Sequence, residues 1–343
     1  MMFKRIGNVG RVVLLAEESG YLIFSRAIIS SIFTIGFGIY FVAYLEKGVG
    51  GAILGSTISA FIIMIISLIL IRKYLKFKFN KLHLIEGFKY SLPLIPHVLG
   101  TIIFFYSDKI ILEKYVGLGA IGLYSIADKV ARIMKKIVTS SNSALVPIFM
   151  RESTKNMLHA KKLFNTIILQ WTSIISIIYL AVIFFSEEII IILTPSEYHD
   201  AYLLIPILST CFIFRGFYSF SSNPLFFLKK TKIIPVITFS TGLINIVLNI
   251  LLIPSYGIYA AAGTTLFSFI LAFIISYFYS KKYYEMSFSW MKIFKIFFPV
   301  LISIILLPII YNLSFTQKIL SKVCLFTLTI LYNYILDFGK VKS

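Results

Sequence analysis

The sequence predicts an all-α, polytopic membrane protein of about ten transmembrane helices, and three observations carry that reading. Apolar residues fill 59% of the 343 positions, and the mean hydropathy of +0.92 lies far above the range of soluble chains. Unbroken apolar runs of the roughly 20 residues needed to cross a bilayer recur along the whole length. Lys and Arg, 33 against 14 Asp and Glu, gather in short clusters between runs instead of forming one patch. A transmembrane barrel would show alternating segments of about ten residues, so strands are excluded. Topology accounts for the net charge of +19, and no nucleic-acid partner is expected.

Taken in order, residues 1–20 begin with Lys4, Arg5 and Arg11, hold a short apolar core at 12–16, and then carry Glu17 and Glu18. That is too short and too acidic for a cleaved signal, so the stretch reads as a cytoplasmic lead. The runs 21–44, 49–71, 88–112, 119–149, 163–185, 201–228, 231–252, 258–280, 292–312 and 319–338 are each long enough to span. Alternate loops then carry 21 and 3 Lys and Arg, which puts both termini in the cytoplasm. The longest outer loop, 186–200, is acidic, and its apolar stretch at 189–193 reads as a short surface helix. Cys211 and Cys324 lie inside apolar runs; no disulfide, metal site or cofactor is expected.

A repeat recurs at an offset of 209 residues. Gly48-Val49 matches Gly257-Ile258, Ala52 matches Ala261, Ser56 matches Thr265, Ser59 matches Ser268, and Arg72-Lys73-Tyr74 matches Lys281-Lys282-Tyr283. Six runs separate the copies, so both point the same way across the membrane, the mark of parallel transporter halves. The expected domains are a first-bundle remnant at 1–83, a complete six-helix bundle at 84–285, and two additional helices at 286–343. Some four helices would then be missing from the front. Two hairpins alike only in apolar composition remain the other explanation.

Run 119–149 is the one that carries charge where lipid should forbid it. Asp128, Arg132, Lys135, Thr139 and Asn142 step by 4, 3, 4 and 3, which lines one helix face, with Val130, Ile133, Met134, Ile137 and Leu145 expected opposite. A Lys or Arg at the bilayer centre costs roughly 2.5–3.5 kcal/mol on insertion scales. Lys129, Arg132, Lys135 and Lys136 therefore need water, a partner or an anionic cargo. Asp128 is spaced to pair with Arg132, which leaves three cations, so this face is the expected wall of a cationic cavity that holds an anionic cargo. Arg215 sits mid-run, out of reach of either surface, and is read as a substrate contact or the partner of a carboxylate. Arg26, five residues inside its run, either snorkels to the inner interface or joins the cationic cavity. Asp108 and Lys109, near the outer end of their run, form an outer gate or snorkel. His97, beside Pro93 and Pro96, is a proton relay or a bonded residue in a kinked helix. Asp128 is the acid singled out for ion coupling.

The segments Phe88-Lys-Tyr-Ser-Leu-Pro93-Leu-Ile-Pro96-His97, Tyr106-Ser-Asp108-Lys109-Ile-Ile-Leu112 and Gly122-Leu-Tyr124-Ser-Ile-Ala-Asp-Lys-Val-Ala-Arg-Ile133, ending at Pro147, resemble the O-antigen and capsule polysaccharide flippases of the multidrug/oligosaccharidyl-lipid/polysaccharide exporter superfamily. Residues 188–208 and 257–268 are similar to that family too. The resemblance implies two six-helix bundles around a central cavity and outward movement of polyprenyl-pyrophosphate-linked sugar repeat units across the bacterial inner membrane. It also implies surface polysaccharide as the product, such as lipopolysaccharide or exopolysaccharide, with membrane lipid and polysaccharide polymerase or assembly proteins as partners. Relative to the family the chain lacks its first four helices, as the repeat suggests.

No Gly-rich phosphate-binding loop with its Lys is present, so ATP hydrolysis is not expected, and ion coupling is implied only by the resemblance. The protein is expected to be no enzyme. A membrane glycosyltransferase or glycan polymerase would need acids in a sizeable loop, and the longest outer one offers Glu187, Glu188, Glu197, His199 and Asp200. A drug or cation exporter of the same superfamily, which would favour an acidic cavity, and an inactive truncated remnant are the other readings.

Overall fold

Inside a bilayer every backbone N–H and C=O must be bonded within its own segment or to a neighbouring one, and helices do this without help. The computed structural model describes residues 2–17, 19–75, 80–91, 106–284, 288–311 and 313–338, and among these no strand occurs. Twelve helices follow in order: α1 (Met2–Ala16), α2 (Gly20–Ile39, continued by a π turn at Tyr40–Tyr44), α3 (Gly48–Leu70), α4 (Lys81–Ser91), α5 (106–115), α6 (Leu118–Lys155), α7 (Met157–Phe184), α8 (Ser186–Leu193), α9 (Ile205–Phe227), α10 (Ile233–Tyr284), α11 (Trp290–Tyr311) and α12 (Phe315–Phe338). A 3₁₀ segment, Ser196–Leu204, leads into α9.

Among the described residues seven stretches are long and apolar enough to cross a membrane: Gly20–Tyr44, Gly48–Leu70, Met157–Phe184, Ser196–Phe227, Ile233–Tyr284, Trp290–Leu307 and Thr316–Ile335. The 52-residue α10 contains two of the expected spans, because Gly257 leaves helical geometry at φ 57°, ψ −135° and turns the chain. Charge keeps α6 out of the apolar set, although its 38 residues extend about 57 Å at 1.5 Å per residue. Most of the expected span 88–112, with Pro93, Pro96 and His97, lies outside the described residues. The expected lead at 1–20 is not a plain linker: α1 is an amphipathic helix whose Leu14 is 2% exposed, and it packs on α3.

The chain divides into two compact units, Met1–Phe88 and Lys89–Ser343. In the first, small residues let backbones meet. A Cβ on Gly51 would lie 2.6 Å from the Phe41 carbonyl oxygen, and one on Gly55 2.9 Å from that of Phe37. Arg26 of α2 ties α1 and α3 to its own helix. Its Nε donates to Ser67 Oγ of α3 (2.7 Å) and its Nη2 to the Gly7 carbonyl of α1 (2.9 Å).

In the second unit α6, α7, α9 and α10 enclose an aromatic core in which Trp171 meets Phe217 and Phe220 edge-on, with ring centroids 5.4 and 4.8 Å apart. Gly216 permits this, since a Cβ there would stand 2.5 Å from Trp171 Cη2. Gly216→Val is therefore expected to cost about 1–3 kcal/mol by overpacking, read as a lower thermal midpoint in the tryptophan fluorescence of detergent-purified protein. The helices of the expected segment 286–343 pack on α7. Asn333 donates to Ser176 Oγ (3.0 Å), and Asn165 of α7 donates to Ser289 just before α11 (3.1 Å).

The two copies of the repeat share local geometry. Gly48 and Gly257 both take positive φ, 50° and 57°, at the start of a helical segment. Ser59 and Ser268 are both buried, and each donates to the carbonyl four residues back, at 2.9 and 2.8 Å. At the far ends Lys73 lies over Tyr74 and Lys282 over Tyr283.

Candidate functional site

The register of α6 decides what its charges face. Ala120, Tyr124, Ala127, Ala131, Met134 and Val138 step by 4, 3, 4, 3 and 4 and are buried against the unit's own helices. Asp128, Arg132 and Lys135 each follow one of these by one residue, about 100° round the helix, so they border the packed side. Lys129 and Lys136 follow by two, about 200° round, and point away from the packed side. Arg132, Lys129 and Lys136 are exposed and Lys135 is half-buried. The stepped set Asp128, Arg132 and Lys135 thus forms one row, with Lys129 and Lys136 in a second row beside it. The expected apolar face is also corrected: Met134 is fully buried and Val130, Ile137 and Leu145 are partly so, but Ile133 is 45% exposed, because the alanines carry the close contact instead.

Asp128 accepts from Arg132 Nε (3.0 Å) and Nη2 (2.6 Å), the i, i+4 pair that the spacing predicts. Lys109 Nζ lies 3.7 Å from the same carboxylate oxygen. Lys109 therefore joins the α6 charges, apart from its neighbour Asp108. One acid serves two cations, which leaves this face of α6 net positive.

Asp108 goes elsewhere. At 5% exposure its carboxylate is buried inside the second unit. Its Oδ2 accepts from the Tyr124 hydroxyl of α6 (3.0 Å) and from Thr265 Oγ1 (2.9 Å), and its Oδ1 from Asn249 Nδ2 (2.6 Å). Asn249 Nδ2 also reaches Asn245 Oδ1 (3.1 Å), and Thr264 Oγ1 donates to Asn249 Oδ1. Gly257 makes this cluster by folding α10 back on itself, which sets Asn249 beside Thr264 and Thr265. Asn249 and Thr265 are each eight residues from that turn and Asp108 is nine from Gly117, so the carboxylate lies about 12 Å below the end of the bundle, not at its rim. Among the described residues no Lys, Arg or His comes within 4.0 Å of it. Sequence reading named Asp108 but missed Tyr124, Asn245, Asn249, Thr264 and Thr265. Two asparagines one turn apart inside an apolar run were the available signal.

Arg215 lies on α9 and lines a cavity of 310 Å³ between α6, α9 and both arms of α10. Its charge and that of Arg132 both act on Lys135. Arg26 is spent on the packing of the first unit, as its two bonds show. His97 lies outside the described residues. On the acidic loop, Glu187 accepts from Lys318 Nζ (3.0 and 3.1 Å) and Glu188 from Lys322 Nζ (2.6 Å), so these acids anchor α12.

These features define a multi-pass, all-α membrane protein. The family model of polysaccharide biosynthesis proteins matches residues 17–153, a range that holds the motifs from Phe88 to Pro147. Lipid II flippase MurJ, solved in an inward closed conformation, superposes with a TM-score of 0.75 at 19% identity over 99% of this chain and 72% of that one. A MATE mutant gives 0.60 at 13% identity over 82% and 66%. Two uncharacterised membrane proteins of Methanocaldococcus jannaschii are 28% identical over 203 residues and 26% identical over 254. Those alignments take in 59% and 69% of this chain but only 40% and 60% of the relatives.

Proposed function

We propose that the protein works as a flippase for a polyprenyl-pyrophosphate-linked oligosaccharide, an O-antigen, capsule or related repeat unit, in the cytoplasmic membrane with both termini inside. One observation carries the reading: α6 keeps Lys129, Arg132 and Lys136 exposed on the sides its own unit leaves uncovered, with Asp128 shared between Arg132 and Lys109. A surplus of cations at mid-helix suits a diphosphate better than a cationic drug. The matched polysaccharide family and the fold shared with MurJ, whose own name is that of a lipid II flippase, support the same reading. The protein supplies binding and alternating access, and no bond is made or broken.

Coupling to an ion gradient fits Asp108 better than Asp128. Asp128 already has Arg132 and Lys109, whereas the Asp108 carboxylate is buried among hydroxyls and amides, where an ionised group calls for a proton or a small cation.

Replacing Arg132 and Lys135 together by Ala tests the substrate reading in cells whose surface glycan depends on this protein. Each charge-assisted bond is worth about 1.5–3 kcal/mol, so export should fall at least 10–100-fold at unchanged protein level. Normal surface glycan would remove the cationic-cavity reading.

A further inference from the structure

The repeat at an offset of 209 residues runs on through α1 and α2. It carries α1 onto 211–225 of α9 and α2 onto the first arm of α10, where Phe3, Gly7, Ile28, Ser31 and Ile35 meet Phe212, Gly216, Ile237, Ser240 and Ile244. On one side the copies are equally open. Ile65 and Ile274 are both 41% exposed, and Ile69 and Phe278 are 57% and 64% exposed, as suits a face turned to lipid. On another side they differ. Ile237 and Thr241 are 1% and 4% exposed, whereas their equivalents Ile28 and Ile32 stand 43% and 63% open. Asn245 and Asn249 are fully buried, but Gly36 and Tyr40 are exposed, and Met2 of α1 is exposed where Cys211 is buried.

In the second unit α5, α6 and α7 cover this side. Asp108 of α5 accepts from Asn249, Asn142 of α6 shares a cavity wall with Thr241, and Trp171 of α7 packs on Phe217 and Phe220. The equivalents of those two phenylalanines, Asn8 and Arg11, are exposed. The same offset places counterparts of α5–α7 ahead of residue 1, outside these 343 residues. The bare face of α2 holds a groove of 540 Å³ between Phe24 and Gly36, lined by Ala27, Ile28, Ser31 and Ile32. Ser31 spends its hydroxyl proton on the Ala27 carbonyl (3.0 Å), so the groove calls for apolar contact, and its small residues let a neighbouring helix come close. Gly36 and Tyr40 in place of Asn245 and Asn249 leave no amide to receive a buried acid such as Asp108. We propose that this face docks a separate transmembrane polypeptide, whose helices stand to α1–α3 as α5–α7 stand to α9 and α10, and which turns an apolar side without a carboxylate toward α2.

The test is photocrosslinking of the full chain in the membranes of the cell that encodes it, with mass spectrometry of the products. The photoreactive residue p-benzoylphenylalanine replaces Ile32 in one variant and, as lipid-facing references, Ile69 or Phe278 in two others. All three positions are exposed, so the fold should tolerate each replacement. Ile32→p-benzoylphenylalanine should give one discrete adduct with a second polypeptide that holds apolar spans matching α5–α7, and the two references should give adducts with lipid. Adding Ser31→Trp, which fills the groove, should cut the Ile32 adduct about tenfold or more at unchanged protein level. An Ile32 adduct with lipid alone, with a second copy of this chain, within its own chain, or with a polypeptide lacking those spans overturns the proposal. So does the same adduct in equal yield from Ile69, or one that survives Ser31→Trp undiminished.

Discussion

Asp108→Leu is expected to cost about 3–6 kcal/mol, because Tyr124, Asn249 and Thr265 would each keep a buried donor with its acceptor removed, at about 1–2 kcal/mol apiece. Chemical denaturation of the purified protein measures this directly. Asp108→Asn separates charge from packing. It keeps the size and one carbonyl acceptor, so the fold should survive with a much smaller loss. Uptake of lipid-linked substrate into proteoliposomes should then stop responding to an imposed proton or sodium gradient. A folded Asp108→Asn protein with full gradient response would remove Asp108 from coupling and return attention to Asp128.

Lys322→Ala is expected to cost a further large amount, about 3–5 kcal/mol, the range for breaking a buried pair by removing one partner. Lys322 is 1% exposed, with Glu188 at 2.6 Å and Glu187 at 3.7 Å. Without it Glu188 loses the partner at 2.6 Å, while Glu187 keeps Lys318. The damage should be local: amide exchange along α12 should speed up while α6 and α9 stay protected. Pairing Lys322→Met with Glu188→Leu should recover most of the loss, since neither charge is then left buried alone. A single replacement that leaves α12 protection unchanged would show that α12 is held by its apolar face and the Asn333–Ser176 bond.

The all-α, multi-pass class was legible because apolar length is a direct consequence of bilayer thickness. Gly257 was legible too, since a glycine between two runs, matched by Gly48, marks the same positive φ. The ion pair of Asp128 and Arg132 followed from helix spacing alone. What the chain did not disclose was tertiary. Asp108 and Lys109 are neighbours in sequence, yet one turns inward to α10 and the other across to Asp128, a choice set by which helices flank α5. Arg26 stayed open between an interface residue and a cavity residue because its partners, a serine hydroxyl and a glycine carbonyl, carry no charge pattern to read. Lys322 was passed over as part of the last run, and only the fold puts it against Glu188.

The most direct measurement is equilibrium binding of a polyprenyl pyrophosphate to the chain in lipid nanodiscs, with the uncharged polyprenol as control. The account expects saturable binding that inorganic pyrophosphate displaces and that weakens about 10–100-fold when Arg132 and Lys135 are both Ala. Equal affinity for the wild-type and doubly substituted proteins, or equal binding of the polyprenol, would contradict it.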